Sequence, residues 1–274
     1  MPDGAARGFG RLFERSRPAG RLALLPYVMA GYPTVEATVD LLLGLEAAGA
    51  DGFELGVPFS DPIADGPTIQ AASQVALRNG MTPTRVTGLL AEARRRGLRA
   101  PVALMGYLNP IVHQGVERYC ADAAAAGADG LIVPDAPPDE ADELAGACRV
   151  RGLDLIQFVA PTSSPERIAL AARSARGFVY VVSLTGVTGA RTELAAGLDD
   201  LLERVRAATT TPVVVGFGIS RPEHLAHLRG RADGAIVASA LINRIDSSRE
   251  APVEAGAAFV RELRAGADGA LLTA

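Results

Sequence analysis

The chain has 274 residues, 49% of them apolar and 21% charged, with a formal net charge of −4. That size and balance supply a large core, which excludes a disordered protein, and offer no basic field for nucleic acid. All 27 basic residues are arginine. Without lysine there is no Schiff-base aldolase, no pyridoxal-phosphate enzyme and no Walker-type phosphate loop.

Residues 1–21 carry Arg7, Arg11, Arg15, Arg17 and Arg21 around Phe9, Leu12 and Phe13. That spacing predicts an exposed amphipathic N-terminal helix or arm, not a secretion signal. Apolar runs then predict strands at 22–29, 53–57, 102–105, 131–133, 153–159, 178–183, 212–216 and 235–237. Helical patterns separate them at 36–47, 68–79 and on to 96, 116–125, 140–151, 165–175, 198–207, 222–228 and 253–264. A wording recurs before three of the strands: Ala48-Gly49-Ala50-Asp51-Gly52, Ala126-Gly127-Ala128-Asp129-Gly130 and Gly230-Arg231-Ala232-Asp233-Gly234. Each reads as a helix end, a tight turn and a strand buried on both faces. The tail at 265–274 repeats this wording with nothing after it, and reads as a frayed end.

Eight strands alternating with helices predict one (β/α)₈ barrel domain spanning 1–274. An open doubly wound sheet is the alternative, but Ala30-Gly31-Tyr32-Pro33 after the first strand is not a dinucleotide-binding turn. No apolar run approaches the ~18 residues of a membrane helix. Cys120 and Cys148 are too far apart in sequence for a zinc ribbon or CxxC redox site and read as two buried apolar thiols in a reducing compartment. Both features point to the cytoplasm and away from a membrane.

In such barrels chemistry belongs to the loops after the strands. The loop after the second strand offers Glu54, Asp61 and Asp65. Glu54 interrupts an apolar strand, so burial should raise its pKa toward that of a general acid at neutral pH. A Glu held by a buried Arg is the competing reading. Asp65 is either a second acid or the N-cap of the next helix. Glycine-rich turns follow at 183–190 and 216–220, with Ala238-Ser239-Ala240 after the eighth strand, and successive backbone N–H groups in such turns hold phosphate without lysine. His224 and His227 read as solvated helix residues and His113 as a loop residue, with no metal site among them.

At 53–70 the run FELGVPFSDPIADGPTIQ closely resembles the signature of the tryptophan synthase α subunit family. PYVMAGYP at 26–33, LMGYLNP at 104–110, VPDAPPDE at 133–140, YVVSLTGVTGAR at 180–191 and VGFGIS at 215–220 follow in that family's order. The resemblance implies a (β/α)₈ barrel that cleaves indole-3-glycerol phosphate to indole and glyceraldehyde 3-phosphate. It implies Glu54 as the acid–base group at indole C3 and the glycerol hydroxyl. Asp65 would accept the indole N–H, and Tyr180 would support Glu54. Tyr27, Met105, Tyr107, Asp135 and Phe217 would surround the indole. Gly189, Gly218, Ala238 and Ser239 would hold the phosphate, and Thr188 would bond Asp65 on loop closure. Asp61, Pro62, Asn109 and Pro110 would face a β subunit in an αββα heterotetramer. No cofactor would bind here, pyridoxal phosphate belonging to that partner.

Two positions depart from the family pattern. Phe53 stands where an aliphatic residue is usual, and Ala238 where glycine is usual, so a methyl group would crowd the phosphate. A stand-alone lyase releasing free indole, a non-catalytic barrel that only activates a partner, and a sugar-phosphate isomerase on the same scaffold remain as alternatives.

Overall fold

Eight parallel strands close into a barrel in chain order, the eighth pairing back against the first. The computed structural model describes residues 8–182, 197–216 and 218–269. The strands are β1 Ala23–Met29, β2 Phe53–Gly56, β3 Val102–Met105, β4 Gly130–Ile132, β5 Asp154–Val159, β6 Val179–Val182, β7 Val213–Gly216 and β8 Gly234–Val237. Among the described residues the helices are α1 Gly8–Ser16, α2 Val35–Ala47, α3 Pro67–Arg78, α4 Pro83–Arg95, α5 Leu108–Gln114, α6 Val116–Ala125, α7 Asp142–Arg151, α8 Pro165–Ser174, α9 Leu198–Ala208, α10 Pro222–Leu228, α11 Ser239–Asp246 and α12 Pro252–Asp268. The strands read as continuous apolar runs because the inner face fills the barrel and the outer face meets the helices. The fold is the expected (β/α)₈ barrel.

The repeated wording has a physical job at the bottom of the barrel. Its aspartate reaches across to a backbone N–H of the preceding strand. Asp51 accepts from Leu24 at 2.9 Å, Asp129 from Val102 at 2.9 Å and Asp233 from Val213 at 2.7 Å. Arginines close on each carboxylate. Arg21 and Arg264 pair with Asp51, Arg94 with Asp129, and Arg17 and Arg206 with Asp233. Three neighbouring strand pairs are thereby tied together on the face opposite the chemistry, and guanidinium forks suit these multidentate contacts.

Helix α1 departs from the exposed arm expected of it. Phe9 and Phe13 are fully buried and meet Phe178 edge to face, with ring centroids 5.3 and 6.1 Å apart. Phe178 immediately precedes β6, so α1 plugs the barrel's N-terminal end. The long helical pattern at 68–96 breaks into α3 and α4, because Gly80 takes a positive φ, the Thr82 side chain caps and Pro83 starts a new helix. Two short helices, α5 and α11, were not anticipated. α5 carries Pro110 in its first turn, where a missing N–H costs nothing.

The tail at 265–274 is corrected in part. Residues 265–268 continue α12, and Ala267 is fully buried. Gly266 lies directly against the Pro222 carbonyl, where a Cβ would clash. The wording of a turn yields here to helix–helix packing. Residues 270–274 lie outside the described residues.

Candidate active site

β2 sets Glu54 at 3% exposure, in register with Tyr27 of β1 and Ala103 of β3. No arginine pairs with it among the described residues. Burial, and then the charge of Asp65, pushes its pKa from 4.5 up to about 8. Asp65 stands in the loop between β2 and α3. It is not the helix cap, since Gly66 occupies that position. Partial burial raises its pKa from 3.8 to about 6, and a hydrogen bond from the Tyr107 hydroxyl opposes the rise. The two carboxyls thus differ in proton affinity because they differ in burial and in donors.

Tyr27, Tyr107 and Tyr180 surround this pair. Burial and the nearby carboxylates hold all three phenols well above their usual pKa, so they are neutral hydrogen-bonding groups. Tyr27 and Tyr180 each fit because a glycine faces them. A Cβ on Gly56 would collide with the Tyr27 hydroxyl, and one on Gly216 with the Tyr180 hydroxyl. Phe158 supports the Tyr180 ring at 4.8 Å. The Tyr107 hydroxyl accepts from the Ala64 N–H at 3.1 Å and its ring lies 5.3 Å from Phe59. Met105 ends β3 in register with Gly56. Asp135, after β4, accepts the Leu108 N–H at 2.9 Å and so anchors the start of α5.

On the other side of the barrel mouth, adjacent strands place their loops side by side. Gly218 follows β7 with φ +76°, and Ser239 opens α11 after β8. Ala238 stands between β8 and α11 with φ −119° and ψ −83°, so no left-handed backbone demands a glycine there. Phe53 is fully buried beside Glu54. Thr188, Gly189 and Phe217 lie outside the described residues.

Asp61 and Asn109 are exposed, Pro110 is half-buried and Pro62 is buried. The apolar side chains of Ile63 and Val112 project beside them, 83% and 58% exposed. A groove of about 640 Å³ runs between Phe59, Pro83, Asn109, Pro110 and His113.

Sequence reasoning missed several supports. Ser73 of α3 is buried and bonds both the N–H and the C=O of Phe59, at 3.1 and 3.0 Å. Gln70 donates to the Asp65 carbonyl at 2.9 Å. A buried serine on a helix and a glutamine one turn from the loop are visible signals only once the loop is known to fold back. His224 is not solvated as expected but 4% exposed, because α12 covers α10. His227 is exposed and lies 3.0 Å from Asp199. His113 sits on α5, exposed, and not in a loop. Cys120 and Cys148 are buried as expected, their sulfurs 3.9 Å apart.

A closed (β/α)₈ barrel with two buried or half-buried carboxyls of split proton affinity at its C-terminal mouth has the layout of an acid–base enzyme of the barrel class. The family model of the tryptophan synthase alpha chain matches residues 13–268. The tryptophan synthase alpha chain of Roseiflexus castenholzii is 58% identical over 92% of this chain and 97% of its own. That of Chloroflexus aurantiacus is 54% identical over 92% and 95%. A solved tryptophan synthase structure from Mycobacterium tuberculosis superimposes with TM-score 0.88 at 39% identity, covering 96% of this chain and 99% of that one. The alpha subunit from Legionella pneumophila does so with TM-score 0.88 at 36% identity, over 97% and 100%. The chain belongs to the tryptophan synthase alpha chain family, carbon–carbon lyases that cleave indole-3-glycerol phosphate.

Proposed function

We propose that Glu54 and Asp65 carry the family's reaction, the retro-aldol cleavage of indole-3-glycerol phosphate. The observation that supports this is the split pair itself, Glu54 near 8 and Asp65 near 6. At neutral pH Glu54 holds a proton and Asp65 does not. Glu54 donates that proton to indole C3, while Asp65 accepts a hydrogen bond from the indole N–H and offsets the growing positive charge. The carboxylate left on Glu54 then removes the proton of the glycerol hydroxyl next to the scissile bond. The C–C electron pair returns to the ring, and indole and glyceraldehyde 3-phosphate leave. The protonated ring is the electron sink, so this chain needs no metal or cofactor for the step.

Tyr180 supports Glu54 from β6. Tyr27, Met105, Tyr107, Asp135 and Phe217 enclose the indole end. The phosphate sits on the backbone of Gly189, Gly218 and Ala238 and on the Ser239 hydroxyl, as neutral donors in turns can arrange. Thr188 bonds Asp65 when its loop closes over the substrate. Asp61, Pro62, Asn109 and Pro110 face a tryptophan synthase β subunit in an αββα complex, and that partner carries the pyridoxal phosphate. The exposed Ile63 and Val112 beside them support a protein-covered surface there.

The test is indole release from indole-3-glycerol phosphate by the chain alone and with an added β subunit. Release that the β subunit accelerates at least ten-fold is expected. Fast release unchanged by the partner would identify a stand-alone lyase. Glu54→Gln should lower release by about 10²–10⁴-fold without weakening glycerol 3-phosphate binding. Turnover retained in that variant removes Glu54 from the mechanism.

A further inference from the structure

The turn after β7 is held by a histidine that core packing alone does not account for. His224 stands at the third position of α10 and is 4% exposed. Its Nδ1 accepts the Ser220 backbone N–H at 3.3 Å. An accepting Nδ1 puts the proton of a neutral ring on Nε2. That Nε2 is buried and has no hydrogen-bond partner among the described residues, and neither does the buried Ser220 hydroxyl oxygen. A buried donor left unpaired destabilises the fold. Phenylalanine would fill a comparable space without that penalty, so the imidazole is a poor choice as mere filler. What it supplies that phenylalanine cannot is an acceptor for the Ser220 amide.

The Ser220 amide lies two residues beyond Gly218, which turns with φ +76°. From outside, α12 braces the same segment, Gly266 sitting directly against the Pro222 carbonyl. Residues 218–222 are thus gripped between an outer helix and the His224 ring. Backbone N–H groups bind an anion more tightly when the turn carrying them is held in one conformation beforehand, because no ordering cost is then met on binding.

We propose that His224 is a positioning residue for the phosphate subsite: its Nδ1–Ser220 hydrogen bond sets the turn from which the Gly218 N–H reaches the substrate phosphate. The inference rests on the reading of the Gly218 turn as a phosphate contact. His224 itself touches no substrate atom. It acts through the Ser220 backbone on affinity for the phosphate end, leaving the proton transfers at Glu54 and Asp65 to their own groups.

The experiment compares the unsubstituted chain with His224→Phe and His224→Asn, the asparagine carbonyl standing where Nδ1 was. Three quantities are read: KM and kcat for indole-3-glycerol phosphate, the Kd of sn-glycerol 3-phosphate, and Tm. His224→Phe is expected to raise both KM and the glycerol 3-phosphate Kd about five-fold, the order of one neutral hydrogen bond. Its kcat should fall less than two-fold and its Tm should not drop. His224→Asn is expected to bring the Kd back to within two-fold of the unsubstituted chain. An unchanged Kd in His224→Phe overturns the role of His224 alone. So does a weakened Kd that comes with a lowered Tm and is not rescued by asparagine, since that is general damage. Failure of the unsubstituted chain to bind glycerol 3-phosphate overturns the phosphate reading and the role of His224 together.

Discussion

A carboxyl group that must give a proton near pH 7 needs an environment that dislikes its charge. Glu54 has one because its strand is otherwise apolar and Asp65 is close by. In the proposed reaction the working state is Glu54 protonated with Asp65 ionised, which dominates between about 6 and 8. A bell-shaped profile of kcat/KM follows, with limbs near those two values belonging to the pair as a whole. Asp65→Asn should abolish the acidic limb and move the basic limb downward, since Asp65's charge is one of the causes that raise Glu54. A pH–rate series on both proteins checks this, and an unmoved basic limb in Asp65→Asn would uncouple the two groups. The same shifts act on stability. Both carboxyls are raised above their ordinary values of 4.5 and 3.8. Their contribution is complete below those values and is lost as pH rises through about 6 and then about 8. Denaturant unfolding should therefore show lower stability at pH 9 than at pH 5, and Glu54→Gln should flatten that fall.

Among the elements, the barrel separates its two ends by charge arrangement. The aspartates of the repeat bind strand amides and arginines below, while above no arginine pairs with Glu54 or Asp65 among the described residues. Asp233→Ala would leave the Val213 N–H buried without an acceptor and Arg17 and Arg206 without their carboxylate. About 2–4 kcal/mol of stability should be lost, read by denaturant titration, with kcat little changed because the site is at the far end. A loss below about 0.5 kcal/mol would show that these pairs are worth no more than surface ion pairs. Helix α12 matters for a related reason. It supports α10, and through it the turn that follows β7, from a segment that by its wording belongs to a loose end.

For the molecule as a whole, the active mouth and the exposed apolar residues share one rim. The β2–α3 loop carries Glu54's partner Asp65 together with Asp61, Pro62 and Ile63, and α5 follows directly on Tyr107. A partner bound to that rim touches the elements that hold Asp65 and Tyr107, which gives it a physical route to the rate. Val112 is one helical turn from Asn109 on the same face of α5. Val112→Asp should weaken acceleration by a β subunit at least ten-fold, with cleavage by the chain alone within two-fold. Titration of the β subunit into the lyase assay measures both, and full acceleration in the variant would place the contact elsewhere.

The barrel was legible in the sequence because its signals are local. Strand runs, helix periodicity and the repeated turn each depend on a few neighbouring residues, and a glutamate inside an apolar strand is conspicuous without any tertiary knowledge. Those local features determined the fold class and singled out Glu54 as the candidate acid. What only the tertiary structure decided concerns groups whose environment comes from distant chain. Asp65 escapes its capping role because Gly66 takes it and Tyr107, more than 40 residues away, supplies the hydrogen bond instead. His224 is buried because α12 packs over α10, and the end of α12 is ordered by the same contact. Arg264, Arg94 and Arg206 meet Asp51, Asp129 and Asp233 only because the closed barrel brings distant chain together. A pattern along the chain sets which face a residue presents, whereas burial and pairing are set by what the fold brings against that face.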